Sequence, residues 1–242
     1  MSNNWTSTKK FDEKKKATQA IISYIPNVCD GHIVLMPSNT CYDIKEMRLQ
    51  NKINSSTTIH IVDNLACNEL KGKREEKVFA YKESCKKRFR EIMGNDELFI
   101  NNQNNFILGK NIQDFPLLIK TFDKSPRGCD FIYADTCGTY TRELINWIGN
   151  VHTVCSLKEG GIFAITILLV RNETPIEGNN NCPMSNPDLL LFGKNKEKNA
   201  NKLYIIANQI EEVTRYLFKS KALIYYEDYY KSPMGTLIFQ KQ

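Results

Sequence analysis

The chain of 242 residues lacks the features that build a disulfide framework, a zinc site or a membrane span. Its eight cysteines, at positions 29, 41, 67, 85, 129, 137, 155 and 182, include no C-x-x-C pair. The three histidines, His32, His60 and His152, are equally scattered. Structural zinc needs ligands paired on tight turns, so no structural metal is expected. Several cysteines fall inside apolar segments, where a thiol behaves as a small hydrophobe. They are expected to be reduced and structural, in an intracellular, cytoplasmic chain or a nuclear one. No apolar run reaches the roughly 18 residues that cross a bilayer, so no membrane partner is expected. The longest run, 162–170, is broken only by Thr166 and has the length of a buried strand. Residues 1–16 are polar and basic with no apolar centre, unlike a secretory signal; residues 1–12 are expected to be a flexible N-terminus. The phosphate-loop and zinc-protease signatures are absent. So is a glycine-rich turn after the first strand, which a dinucleotide pyrophosphate would need.

What is present is an ordinary globular composition, 41% hydrophobic and 25% charged, in a length sufficient for one large domain. The net charge of +6 is compatible with an anionic partner and too dispersed to establish one. Apolar spacing predicts a helix over 13–25, from Ala17, Ala20, Ile21 and Tyr24. A continuous apolar run predicts a strand at 32–36, of the kind covered on both faces, and further strands are predicted at 57–62, 106–108, 129–134 and 162–170. Helices are predicted between them at 43–50, 73–93, 112–122 and 142–157. Residues 171–201 are rich in Asn, Pro and Gly, and are expected to be a long surface loop, because they offer little apolar surface to offset ordering. A helix over 202–219 and two strands, 222–226 and 236–239, close the chain, the strands forming an antiparallel pair at the sheet edge.

Alternation of strand and helix implies right-handed crossovers and a mostly parallel sheet. The expected fold is α/β, a three-layer Rossmann-like sandwich whose seven-stranded sheet has a reversed last strand. This order resembles the class I methyltransferase fold that binds S-adenosylmethionine. The resemblance covers residues 13–242 in topology and a few short motifs in detail, and implies a single methyltransferase-like domain over 1–242.

In an open α/β sheet, ligands bind beyond the carboxyl ends of the strands where the strand order reverses. After strand one, where the resembling family carries a glycine-rich turn, this chain has Pro37, Ser38, Asn39 and Thr40. Ser38, Asn39 and Thr40 are small, hydrogen-bonding and placed to cap the next helix, and helix-start amides can meet the cofactor's carboxylate; a plain cap is the alternative. After strand two, Asp63 and Asn64 stand where the family uses a carboxylate to accept bonds from both ribose hydroxyls. After strand three, Asn111 or Asp114 would face the adenine amino group. After strand four comes Ala134-Asp135-Thr136-Cys137-Gly138-Thr139-Tyr140, where the family brings methyl group and acceptor together. The resemblance assigns Asp135 to the cofactor site and to orienting or deprotonating an acceptor. Tyr140 would stack on an acceptor base, or simply pack. Cys137 reads as structural, having no histidine nearby in sequence to activate it. The Asp/Asn-Pro-Pro-aromatic motif of amino-group DNA methyltransferases is absent. The expected function is methyl transfer from S-adenosylmethionine, with a nucleic acid or nucleotide as acceptor, suggested by basic segments 71–77 and 86–90. The alternative is a non-catalytic Rossmann-like module that binds nucleic acid or protein. A dinucleotide enzyme ranks third.

Overall fold

The computed structural model describes residues 12–25, 28–36, 41–63, 80, 83, 86–92, 94, 106–108, 128–149, 157–169, 185–193, 196–228 and 231–242. In chain order the elements are α1 (Asp12–Ser23), β1 (His32–Leu35), α2 (Tyr42–Leu49), β2 (Thr58–Asp63), β3 (Phe106–Leu108) and β4 (Cys129–Thr139). They continue with α3 (Arg142–Ile148), β5 (Leu157–Leu168), β6 (Asp188–Leu191), α4 (Lys196–Val213), β7 (Phe218–Glu227) and β8 (Pro233–Lys241). Residues 86–92 are also helical.

All eight strands form one sheet in the order β3-β2-β1-β4-β5-β8-β7-β6. Strands β1 to β5 pair in parallel, and β6 is parallel to β7. Only β8 runs against its neighbours, lying between β5 and β7. The parallel centre follows from the apolar runs: Ile33, Val34 and Leu35 are all buried, so β1 is covered on both faces. One face carries α1, α2 and Phe89 of the 86–92 helix against Ile33, Leu35, Phe131, Ile162 and Ile224. The other carries α3 and α4 against Val34, Ile132, Phe163, Leu223 and Phe239. Three layers result, with a core on each side of the sheet. Burying both faces of a long sheet in this way is the main favourable term in its folding.

Four expectations are revised. The sheet has the expected seven strands with a reversed last one, and adds β6 as an eighth at its edge. That strand and the start of α4 fall inside 171–201, which was expected to be a loop; residues 171–184 lie outside the described residues. Leu189, Leu190 and Leu191 pair with Leu223, Ile224 and Tyr225, giving a short apolar run a ladder that no local signal announces. Tyr24, just past the end of α1, also donates to Asp188 Oδ2 at 2.7 Å. The closing hairpin is therefore not at the edge: β8 is inserted beside β5, and β6 covers β7.

Helix α3 ends at Ile148, and Leu157, expected in that helix, opens β5. The register slips between Cys129 and Phe131, opposite Leu157 and Ile162, so the exposed residues 158–160 bulge at Gly160, φ +73°. The last helix is α4, shifted to Lys196–Val213, because Phe218 is claimed by the sheet. Its ring stacks on Phe163 at 5.4 Å and on Phe239 at 6.1 Å.

Candidate active site at the carboxyl edge of the sheet

Strand β1 lies between β2 and β4, and the chain leaves it towards β2 on one side and returns through β4 on the other. This is the topological switch point where such sheets open a crevice. Leu35 at the end of β1 pairs with Ile61 of β2 and Tyr133 of β4. Two residues further along those strands stand Asp63 and Asp135, the first opposite Leu108 and the second opposite Thr166. Both acidic residues thus occupy one rung just beyond the end of β1. Beyond Asp135 the register of β4 shifts before Thr139, a bulge of the kind that re-aims side chains beside functional sites. Thr136 Oγ1 ties it down by donating to the Thr166 carbonyl at 2.8 Å.

Asp135 does not face the edge alone. Lys14 reaches it from α1, Nζ to Oδ2 at 3.0 Å, with side-chain exposures of 14% and 12%. Lys14 is in helical phase with buried Ala17 and Ile21, so α1 presents it to the sheet. The third charge is Asp43, in the first turn of α2. Burial pushes its carboxyl from an ordinary 3.8 up to about 7; Lys14 works against the rise and Asp135 adds to it. Helix α2 itself starts from Cys41, whose φ of 49° places a buried non-glycine residue in the left-handed region. Glycine adopts that conformation without steric cost, so Cys41 holds local backbone strain at the start of α2.

Beneath these charges lies a buried polar chain across three strands. Tyr133 Oη is 3.1 Å from Thr166 Oγ1, which is 2.7 Å from Thr236 Oγ1 of β8. Burial holds the Tyr133 phenol well above its usual range, with Asp135, Tyr226 and Asp43 adding to the rise. Tyr133 is therefore a neutral hydrogen-bonding group, and the ionic character of the edge belongs to Lys14, Asp135 and Asp43.

Of the other expected site residues, Pro37, Ser38, Asn39, Thr40, Asn64, Asn111 and Asp114 lie outside the described residues. Asp63 is placed through its backbone in β2. Tyr140 packs among the residues of the α3–α4 face, and its hydroxyl donates to Gln209 Oε1 of α4 at 2.9 Å. Its ring is thus engaged in packing, the second of the two roles open to it. The segment 71–77 also lies outside the described residues. In the other basic segment, Lys86 pairs with Glu83, and Arg88 with Glu91 at 2.6 Å, on an exposed helix face. Cys29, Cys41 and Cys129 are buried and in no disulfide, in keeping with reduced structural thiols, and burial pushes the Cys29 thiol up to about 12. Among the described residues there is no group of three metal-ligating side chains, and no helix is long and apolar enough to cross a membrane.

Sequence reasoning passed over Lys14 and Asp43. The signal for Lys14 was its helical phase with buried Ala17 and Ile21, which separates it from Lys16 but not from Lys15, in phase with buried Thr18 and Ile22. Asp43 carries a weaker one, being four residues before buried Met47.

No protein-family model matches this chain, and no curated protein matches it. Solved structures do match in shape. The N-methyltransferase NodS from Bradyrhizobium japonicum aligns over 97% of this chain and 98% of its own, at 7% identity and a TM-score of 0.48. The 1,6-didemethyltoxoflavin-N1-methyltransferase of Burkholderia thailandensis, solved with S-adenosylhomocysteine, aligns over 96% and 80%, at 7% identity and 0.46. A 16S rRNA (adenine(1408)-N(1))-methyltransferase from Catenulisporales acidiphilia aligns over 94% and 90%, at 8% identity and 0.39. With its parallel centre, one reversed strand between β5 and β7 and helices on both faces, the chain has a three-layer Rossmann-like α/β fold.

Proposed function

We propose that this chain is an S-adenosylmethionine-dependent methyltransferase whose acceptor is a nucleic acid or nucleotide. The observation that supports it best is the shared rung of Asp63 and Asp135 on either side of the end of β1. The residues present suit the cofactor. Asp63 offers two acceptor oxygens of the kind a ribose diol uses, and the charged cluster beside it holds two carboxylates against one ammonium. When bound, S-adenosylmethionine supplies an activated sulfonium methyl group to an acceptor lone pair and is left as a neutral thioether. The chain's own work is alignment. Lys14 fixes the Asp135 carboxylate at the crevice mouth, where it can orient an acceptor or take its proton. The acceptor class rests on the +6 net charge and the basic segments.

Calorimetric titration with S-adenosylmethionine and S-adenosylhomocysteine, wild type against Asp63→Ala, tests the reading. Micromolar binding lost in the variant is expected. Absence of heat from either ligand would refute it and favour a non-catalytic binding module, in which the Lys14–Asp135 pair merely closes the crevice.

A further inference from the structure

Strand β6 is the element added to the expected seven, and it forms one end of the sheet. Its two faces are taken. Leu190 and Phe192 pack with the α1–α2 core, Leu189 and Leu191 with the α3–α4 core. What remains is the outer edge. The Phe192 N–H donates to the Tyr225 carbonyl oxygen of β7 at 2.7 Å. In a parallel strand the N–H and C=O of one residue point to the same side, and successive residues alternate. Phe192 and Leu190 therefore address β7, while Leu189 and Leu191 turn their backbone groups away from it. Among the described residues no strand lies on that outer side. The edge also lacks the features that commonly block further pairing. From Leu189 to Phe192 there is no charged residue and no proline, and the pairing of β6 with β7 shows no bulge.

We propose that β6 is a docking edge for a second copy of this chain, the two β6 strands pairing antiparallel about a two-fold axis. The proposal stands apart from the methyltransferase reading. Identical strands related by a two-fold axis satisfy each other's outward groups, because each donor on one edge meets an acceptor on the other. The strand ends also match in charge. Antiparallel pairing sets the start of one β6 beside the end of the other. The start carries Asp188, the one charged residue in 181–188, and Tyr24 orients its carboxylate through Oδ2 at 2.7 Å. The sequence past the end, 194–198, holds three lysines and one glutamate. Pairing in this sense makes one sheet that runs through both chains. Asp135 of β4 stays outside the interface, with β5, β8 and β7 between it and β6.

Sedimentation velocity over about 1–100 µM, with amide exchange at both ends of that range, tests the proposal. Wild type is expected to reach the mass of two chains by the top of the range. In the paired state the Leu189 and Leu191 amides should exchange at least about tenfold more slowly, while the Leu190 amide, which faces β7, changes little. Leu191→Pro removes an outward N–H and no bond to β7, a place where an edge strand accepts proline. Circular dichroism checks that the variant is folded. The change enters a two-fold interface twice, so self-association should weaken by at least about tenfold. A chain that stays single at the highest concentration would overturn the proposal. A dimer that Leu191→Pro leaves intact would do the same, by placing the contact elsewhere. Slow exchange at Leu189 and Leu191 while the chain is still single would also overturn it, because the edge would then be covered by the chain itself.

Discussion

Asp43 should cost the protein stability as pH rises, and the cost can be worked out from its surroundings. In the unfolded chain its carboxyl titrates at its ordinary 3.8; in the folded protein burial raises it to about 7. Between those values the folded state holds the proton more tightly than the unfolded state. Stability is therefore lost as pH climbs through that window, the reverse of a salt-bridged carboxylate. Each tenfold change in proton affinity is worth about 1.4 kcal/mol, so the full displacement sets a ceiling near 4 kcal/mol. Part of that loss falls below pH 5, and residual contact with water lowers the rest, so the expected figure is about 2 kcal/mol between pH 5 and pH 8. Asparagine cannot ionise and escapes the loss. The stability of Asp43→Asn relative to wild type should thus grow by that amount across the interval. Urea unfolding at the two pH values measures it directly, and thermal unfolding should show the variant gaining about 4–8 °C at pH 8 for a chain of this size. Background titration elsewhere is common to both proteins. A stability difference that is the same at pH 5 and pH 8 would refute the claim that burial, rather than a local contact, governs Asp43.

The buried chain under the site makes a second prediction: Thr166→Val removes the hydroxyl that bridges Tyr133 and Thr236. Leaving those two hydroxyls unpaired should cost about 2 kcal/mol in urea unfolding, more than Thr166→Ser does; a valine variant as stable as wild type would contradict it. At the opposite end of the sheet, a Cβ on Gly161 would lie 2.8 Å from the Lys158 carbonyl oxygen and 3.0 Å from that of Cys129. Gly161→Ala should lose about 1–3 kcal/mol because backbone must move. Gly160→Ala should lose only about 1 kcal/mol, since its φ of +73° is the obstacle and nothing lies closer than 4.0 Å. Parallel denaturation of the two variants checks the order.

Much of the architecture is written locally. The runs at 32–36, 106–108 and 129–134, the last broken only by Asp130, are short and largely apolar, and each became a parallel strand. Alternation with helices then leaves little choice of topology. That Asp63 and Asp135 stand at the ends of β2 and the parallel part of β4 was legible for the same reason, since the ends of such strands are readable from the end of the apolar run. The misplacements are of another kind. Leu189, Leu190 and Leu191 sit in a polar setting and become a strand only because β7 presents a free edge to them. Residues 214–219 continue a helical pattern, yet Phe218 is worth more stacked between Phe163 and Phe239 than on a helix surface. Tyr140 stood in the most distinctive stretch of the chain, and Gln209, remote in sequence, engages its hydroxyl.

By itself, then, the sequence determined the class of fold, the parallel centre of the sheet and the edge at which chemistry would be sought, because hydrophobic periodicity and turn chemistry act between near neighbours. Tertiary structure alone decided where β8 inserts, that Lys14 meets Asp135 from 121 residues away in the chain, and that Asp43 titrates at about 7 rather than 3.8. Those outcomes depend on desolvation and on charges brought close by packing, and neither is a property of a residue's neighbours in the chain.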